Sequence, residues 1–281
     1  MALAPTRPRE ERFAFGENWE DFIAVLGDAR IAEAERSLRE MLECDDLQGT
    51  RFLDIGSGSG LFSLAALRLG AERVHSFDYD LSSVAATTAV RRRYAGDAPG
   101  WSIEPGSVLD RSYMEALGHW DVVYSWGVLH HTGDLRTACE NVVRAVAPGG
   151  QLYIAIYNDQ GRLSRLWRLV KRVYNMLPRP LKQPYALLVM LPLELRAALY
   201  SIVTLRPQRY WRRWTQYKRS RGMSRWHDLV DWVGGYPFEV ATPEHIFEFF
   251  KTRGFVLTKL KTVRGGFGCN EYVFVHNQVS E

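Results

Sequence analysis

The stretch that most constrains how this chain folds is Arg51-Phe-Leu-Asp-Ile-Gly-Ser-Gly-Ser-Gly60. Arg51–Ile55 reads as a short apolar strand, and Leu61–Leu69, closed by Gly70, reads as an apolar helix. Between them glycine stands at positions 56, 58 and 60. Without Cβ atoms the backbone can turn sharply there and approach a ligand closely.

The same alternation continues downstream. Arg73–Phe77 is a second strand, ended by Asp78, and Ser82–Tyr94 is helical. Trp101–Pro105 and Trp120–Ser125 are strands three and four. Helix Leu135–Val146 stops at Pro148-Gly149-Gly150, before a fifth strand, Gln151–Tyr157. Strands alternating with helices at this spacing predict a doubly wound, mostly parallel sheet covered on both faces, with ligands at the carboxyl ends of the strands. The pattern breaks over 161–222, which is rich in Arg, Trp, Tyr and Leu and carries prolines at 178, 180, 184, 192 and 207. It returns with helix Pro243–Arg253, with Thr242 as its N-cap and Gly254 as its stop, and with strands Phe255–Thr262 and Glu271–His276. The expected organisation is an N-terminal helical arm (1–47, with an amphipathic helix Arg30–Leu42 behind the aromatic Phe13–Trp19), an α/β core (48–160), a helical insertion after the fifth strand (161–222) and a C-terminal return to the core (223–281).

Charge sets the insertion apart. The net charge is +4, but Arg162–Arg225 holds sixteen Lys and Arg against one acid, Glu194, so that segment carries +15 and the remainder −11. Such an asymmetry points to an anionic partner. The three cysteines lie far apart, without metal-type spacing, and an odd count argues against a disulfide framework. Residues 1–11 have no apolar core of the signal-peptide kind. A cytoplasmic setting is expected on these grounds.

The loop's spacing separates two ligand classes. Dinucleotide loops read GxGxxG and aim a helix N-terminus at a pyrophosphate, whereas this loop reads DxGxGxG. S-adenosylmethionine (SAM) has no phosphate and carries a cationic ammonium. Asp54 at the strand end suits that ammonium or the water around it. Asp78, 22 residues beyond Gly56, is placed to accept both ribose hydroxyls; its alternative is a helix N-cap. Tyr79 is placed to pack on the adenosine.

These features, with Gly106-Ser-Val-Leu-Asp110, Trp126–Asp134 and Pro148–Gly150, resemble the class I SAM-dependent methyltransferases over residues 48–158 and in the closing strand pair. The resemblance implies a seven-stranded, Rossmann-like sheet. It implies cofactor contacts from Asp54, Gly56, Ser57, Gly58, Gly60, Asp78 and Tyr79, adenine flanked by Ser107 and Val108, and Ser125 and Trp126 facing the methyl donor. Ser125-Trp-Gly-Val-Leu-His-His131 looks most like the ubiquinone-pathway O-methyltransferase group. Some members of that group use a divalent ion held in part by glutamates; those positions are Gly127 and His130 here, and only His131 agrees, so no metal is expected.

Methyl transfer to oxygen needs an aligned acceptor and, usually, a proton acceptor with pKa near 7. His131, with His130 beside it, is the candidate general base, the alternative being a structural or positioning role. Tyr157 and Asn158, at the fifth strand's end, and His227, Asp228, Tyr236 and Glu239, in a loop spanning 226–239, are candidate acceptor contacts. Arg264 and Asn270 are weaker ones. In the insertion, Leu163, Leu166, Trp167, Val170, Val173 and Tyr174 form an apolar helical stripe opposite Arg162, Arg165, Arg168, Lys171 and Arg172. Tyr185–Val203 is apolar, but Pro192, Glu194 and Arg196 make it a poor bilayer span, and Arg209–Trp214 mixes cations with aromatics. The insertion reads as a lid packed on the core, as a peripheral contact with an anionic membrane through 162–225, or, less favoured, as a nucleic-acid surface. The function expected is SAM-dependent methylation, at oxygen, of a small-molecule, glycan-related or lipid-like acceptor. An RNA methyltransferase and a non-catalytic SAM-binding regulatory module are the alternatives.

Overall fold

A computed structural model of the chain describes residues 26–96, 98–204, 208, 210 and 225–277, with the backbone alone at 225–228 and 231. The aromatic stretch Phe13–Trp19 and, apart from Tyr210, the Arg209–Trp214 cluster lie outside the described residues.

Seven strands form one sheet: β1 (Arg51–Ile55), β2 (Arg73–Asp78), β3 (Trp101–Pro105), β4 (Trp120–Trp126), β5 (Val146–Tyr157), β6 (Phe255–Lys261) and β7 (Cys269–His276). Their spatial order is β3-β2-β1-β4-β5-β7-β6. The first five are parallel, and β7 inserts antiparallel between β5 and β6. The chain reverses direction across the sheet at β1 and β4, where open α/β sheets place ligands.

Because β1 is covered on both sides, its alternate residues enter two separate cores. Leu53 and Ile55 join Val123, Val142, Ile154 and Phe250 on one face. Phe52 joins Leu38, Leu64, Val122 and Tyr153 on the other. The first face is covered by α5 (Leu135–Ala145) and α9 (Pro243–Lys251); the second by α1 (Asp28–Leu42), α2 (Leu61–Arg68) and α3 (Leu81–Tyr94). Ile31, Ala34, Leu38 and Met41, the stripe expected on the first helix, are the buried face of α1.

One element is added to the expected set, and two expectations are corrected. A six-residue helix, α4 (Arg111–Ala116), follows the Gly106–Asp110 segment; Asp110 caps it by accepting from the Tyr113 amide at 3.1 Å. At under two turns it is too short to show a period. Strand β5 begins at Val146 rather than Gln151, because Trp120 pairs with Val146 before the register shifts and Val122 pairs with Gln151. The stretch read as a loop over 226–239 opens as a helix, α8 (Arg225–Gly234). Gly234 and Gly235 end that helix rather than prevent it. Its Leu229, Val230 and Val233 pack against α6 (Arg162–Met176) and α7 (Arg179–Val203).

Phe250 is fully buried, with its ring centroid 4.8 Å from that of Phe274 and 5.7 Å from that of Phe255. Phe250→Ala is expected to lower the unfolding free energy by about 3–5 kcal/mol. Chemical denaturation checks this, and a loss below about 1 kcal/mol would contradict the packing described.

Candidate functional site

The loop after β1 is held by hydrogen bonds on every side. The Gly56 and Ser57 amides both donate to Phe77 O, at 2.9 and 3.1 Å, and the Gly58 amide donates to Asp78 Oδ2 at 3.0 Å. Ser57 Oγ meets Thr87 Oγ1 at 2.9 Å, and Thr87 Oγ1 lies 3.1 Å from Gly58 O. Two positions admit only glycine. Gly56 (φ +78°) would place a Cβ 2.5 Å from both Val128 methyls, and Gly60 (φ +74°) would place one 2.7 Å from a Thr87 methyl. The loop is therefore pressed between the turn after β4 and helix α3.

Asp54 lies on the same face of β1 as Phe52, beneath α2, and is almost fully buried. Its Oδ2 accepts from Ser63 Oγ, which in turn lies 2.7 Å from Ser76 Oγ, itself bonded by the Trp101 indole. Burial raises its pKa to about 7; the Ser63 hydrogen bond opposes this and the nearby Asp78 adds to it. Asp78 ends β2. Its Oδ1 accepts from the Asp80 amide at 2.9 Å, and its pKa is also raised by burial. Each carboxylate oxygen thus has a backbone donor, and the Tyr79 amide adds a third to the pair, which leaves about one of the four acceptor positions for a ligand hydroxyl. The N-cap of α3 is Asp80, which accepts from the Ser82 amide, so the helix-cap role weighed for Asp78 falls two residues later. Tyr79 stands at the rim, 62% exposed.

The other expected cofactor contacts divide. Trp126 is exposed at the end of β4. Ser125 is corrected: it is fully buried and its Oγ donates to Ile55 O at 3.1 Å, tying β4 to β1 rather than facing a ligand. The Val108 side chain belongs to the core, and Asn141 Nδ2 donates to its carbonyl at 2.8 Å. Ser107 is half-buried, and its Oγ accepts from the Leu109 amide.

Beyond β4, a 3-10 turn (Leu129–His131) carries the histidine pair. His130 is fully buried, 4.0 Å from the Tyr157 ring centroid, and neither of its ring nitrogens has a hydrogen-bond partner among the described residues. His131 Nδ1 lies 2.7 Å from Pro237 O. A carbonyl only accepts, so Nδ1 carries the proton and Nε2 the lone pair. Burial, with the Lys171 cation adding to it, lowers the His131 pKa to about 3 and holds His130 well below the usual imidazole value. Both rings are thereby held toward the neutral form.

Tyr157 and Asn158 line a small cleft of about 30 Å³ together with Ser164, Trp167, Lys171, Trp232, Phe238 and Phe267. The Trp167 and Trp232 rings stand 4.1 Å apart, and Tyr157 lies 5.4 Å from Phe238. Lys171, placed by the sequence pattern on the solvated face of its helix, is 2% exposed. Its ammonium donates to Trp232 O and sits 5.0 Å from the Phe238 ring. Asn175 Nδ2 donates to Gly234 O at 2.7 Å. The two side chains satisfy carbonyls at the C-terminus of α8, where a cation is favoured. Ser164, Trp167, Lys171 and Asn175 recur every three or four residues along α6, a signal that the outer arginines masked.

The remaining candidates are placed by their contacts. Glu239 Oε2 accepts from the Leu135 amide at 2.9 Å, at the start of α5. Asn270 is buried and accepts from the Val263 amide while donating to Asn158 Oδ1. Tyr236 is half-buried in the turn after α8, and Arg264 lies in the β6–β7 hairpin at φ +50°. The side chains of His227 and Asp228 lie outside the described residues.

The fold is the Rossmann-like one of SAM-dependent methyltransferases. A magnesium protoporphyrin IX methyltransferase from Synechocystis, with bound SAH, superposes with a TM-score of 0.54 over 93% of this chain and 94% of that one, at 11% identity. Residues 53–152 match the family model described as a methyltransferase domain. The ubiquinone biosynthesis O-methyltransferase of Rhizobium etli is 29% identical over 133 residues, 47% of this chain and 51% of that protein. A tRNA U34 carboxymethyltransferase of Methylococcus capsulatus is 32% identical over 123 residues, 43% and 36% of the two chains. The chain spans about half the length of the curated relatives it matches first. Over residues 53–152 the chain thus resembles a methyltransferase domain.

Gly56→Ala is expected to strain the loop by about 1–3 kcal/mol. It should weaken adenosyl-ligand binding, and Val128→Ala in the same chain should restore part of it. Calorimetric titration checks both. An unaffected Gly56→Ala would contradict the close contact with Val128.

Proposed function

We propose that the protein is a SAM-dependent methyltransferase that methylates an oxygen of a small-molecule, glycan-related or lipid-like acceptor. The observation that carries this reading is the pair of buried carboxylates flanking a phosphate-free glycine loop, next to a separate aromatic cleft. The donor set suits SAM: Asp54 opposes a cation, Asp78 has an acceptor position for a hydroxyl, and neither suits a phosphate. When bound, SAM supplies an electrophilic methyl group.

The protein's own residues then have three tasks. Trp167, Trp232, Phe238 and Tyr157 give the acceptor an apolar seat, and Asn158 and Ser164 give it polar contacts. His131, its ring 5.4 Å from that of Tyr157, helps to position the acceptor at the edge of that seat. The hydroxyl proton leaves for solvent or with an acceptor that ionises by itself, since neither histidine retains it. Turnover at saturating SAM should therefore show no histidine-type inflection between pH 6 and 8. An inflection near 6.5 that His131→Asn abolishes would make His131 the base.

Asp54 makes binding pH-dependent. Its raised pKa means that the ligand-free protein holds it protonated below about 7. A cationic ligand favours the ionised form, so binding releases a proton and affinity rises with pH through about 7. Calorimetry in buffers of different ionisation enthalpy measures that release, and Asp54→Asn should abolish it. Proton-neutral binding by the wild type would contradict this role.

The acceptor class is tested by transfer of tritiated methyl from SAM into cell-extract fractions. Label in the lipid or small-molecule pool supports the proposal. Label confined to RNA makes the protein an RNA methyltransferase, and SAM binding without label in any pool makes it a regulatory SAM-binding module.

A further inference from the structure

Helices α6 and α7 leave an extended apolar surface uncovered. On α7, Leu187, Leu188, Leu191, Leu195, Leu199 and Ile202 recur at helical spacing and are all exposed, Leu188 by 69%. Among the described residues, α7 is the one helix long and apolar enough to cross a membrane, and only 17% of that apolar window is buried. The outer face of α6 continues the patch with Leu166, Leu169 and Met176, exposed among Arg162, Arg165 and Arg172. Residues 162–204 hold eight Lys and Arg against Glu194 alone. Apolar surface of this extent marks an interaction site rather than an ordinary solvated face.

The chemistry of the patch selects its occupant. Leucines ringed by arginines match the boundary of an anionic bilayer, where apolar side chains enter the acyl region and guanidinium groups stay among the phosphates. A buried span fits less well, since Pro192, Glu194 and Arg196 lie inside the apolar stretch. We propose that α6 and α7 dock the protein flat on an anionic phospholipid surface. The inner face of α6 carries Trp167 and Lys171 into the aromatic cleft while its outer face meets the lipid. Docking thus holds the cleft at the membrane, where an amphiphilic molecule reaches it without crossing water. Docking itself needs neither SAM nor methyl transfer, so it fails or stands separately from the function proposed above.

The test is co-sedimentation of the full chain with vesicles, without SAM or acceptor. The wild type is expected to pellet with phosphatidylglycerol–phosphatidylcholine vesicles, to stay in solution with pure phosphatidylcholine, and to be released by high salt. Arg162→Gln/Arg165→Gln/Arg172→Gln should weaken partition by about 100-fold, at roughly fivefold per cation near the surface. Leu187→Glu/Leu191→Glu/Leu195→Glu should abolish it while the thermal midpoint stays unchanged, because all three side chains are exposed. Wild-type protein that ignores anionic vesicles overturns the proposal, as does undiminished binding by the glutamate variant. So does a stable dimer that the glutamate variant dissociates, which would make the patch a contact between two copies. Resistance to alkaline extraction would overturn flat docking in favour of a span.

Discussion

A short loop pinned by two carboxylates organises the ligand side of this protein. Asp78 holds the Gly58 amide from the end of β2, and Asp54 holds Ser63 at the start of α2. Both interactions are buried, so both carboxylates resist ionising and both are exposed to change when a cation arrives. Val128 and Thr87 stand close against Gly56 and Gly60, so the loop is packed from two sides. A site held this way needs little reorganisation to bind, which is where a small cofactor site gains affinity.

The second site is built differently. No single strand end supplies it: β5 brings Tyr157 and Asn158, α6 brings Trp167 and Lys171, and the last turn of α8 brings Trp232. Lys171 is the joint. Its ammonium closes the C-terminus of α8, lies over Phe238, and pushes the histidine pair toward the neutral state. The charge that reads as a solvated surface feature therefore shapes the chemistry of the cleft. The same helix turns its leucines and remaining arginines outward.

The core was legible because its signals are local and periodic. Strands β1 and β3 fall on the residues their apolar runs predict, and the Gly56–Gly60 spacing carries the family resemblance together with Asp54, Asp78, Gly106–Asp110, Trp126–Asp134 and Pro148–Gly150. The misses have physical reasons. Ser125 and Glu239 each meet a backbone partner, Ile55 O and the Leu135 amide, 70 and 104 residues away in sequence, and the Val108 carbonyl meets the Asn141 side chain 33 residues away, which no local pattern reports. Lys171 was masked because a polar stripe facing a cleft looks like one facing water. The electrostatics of His131 depend on burial and on the Lys171 cation, 40 residues distant, and no spacing rule carries that.

The central claim is that Asp78 and the glycine loop form a SAM site, and equilibrium binding tests it most directly. Calorimetric titration of SAM should show one site in the wild type. In Asp78→Ala the affinity should fall by at least about tenfold, the loss of a charge-assisted hydrogen bond to a ligand hydroxyl. The absence of SAM binding by the folded wild type, or unchanged affinity in the variant, would contradict the account.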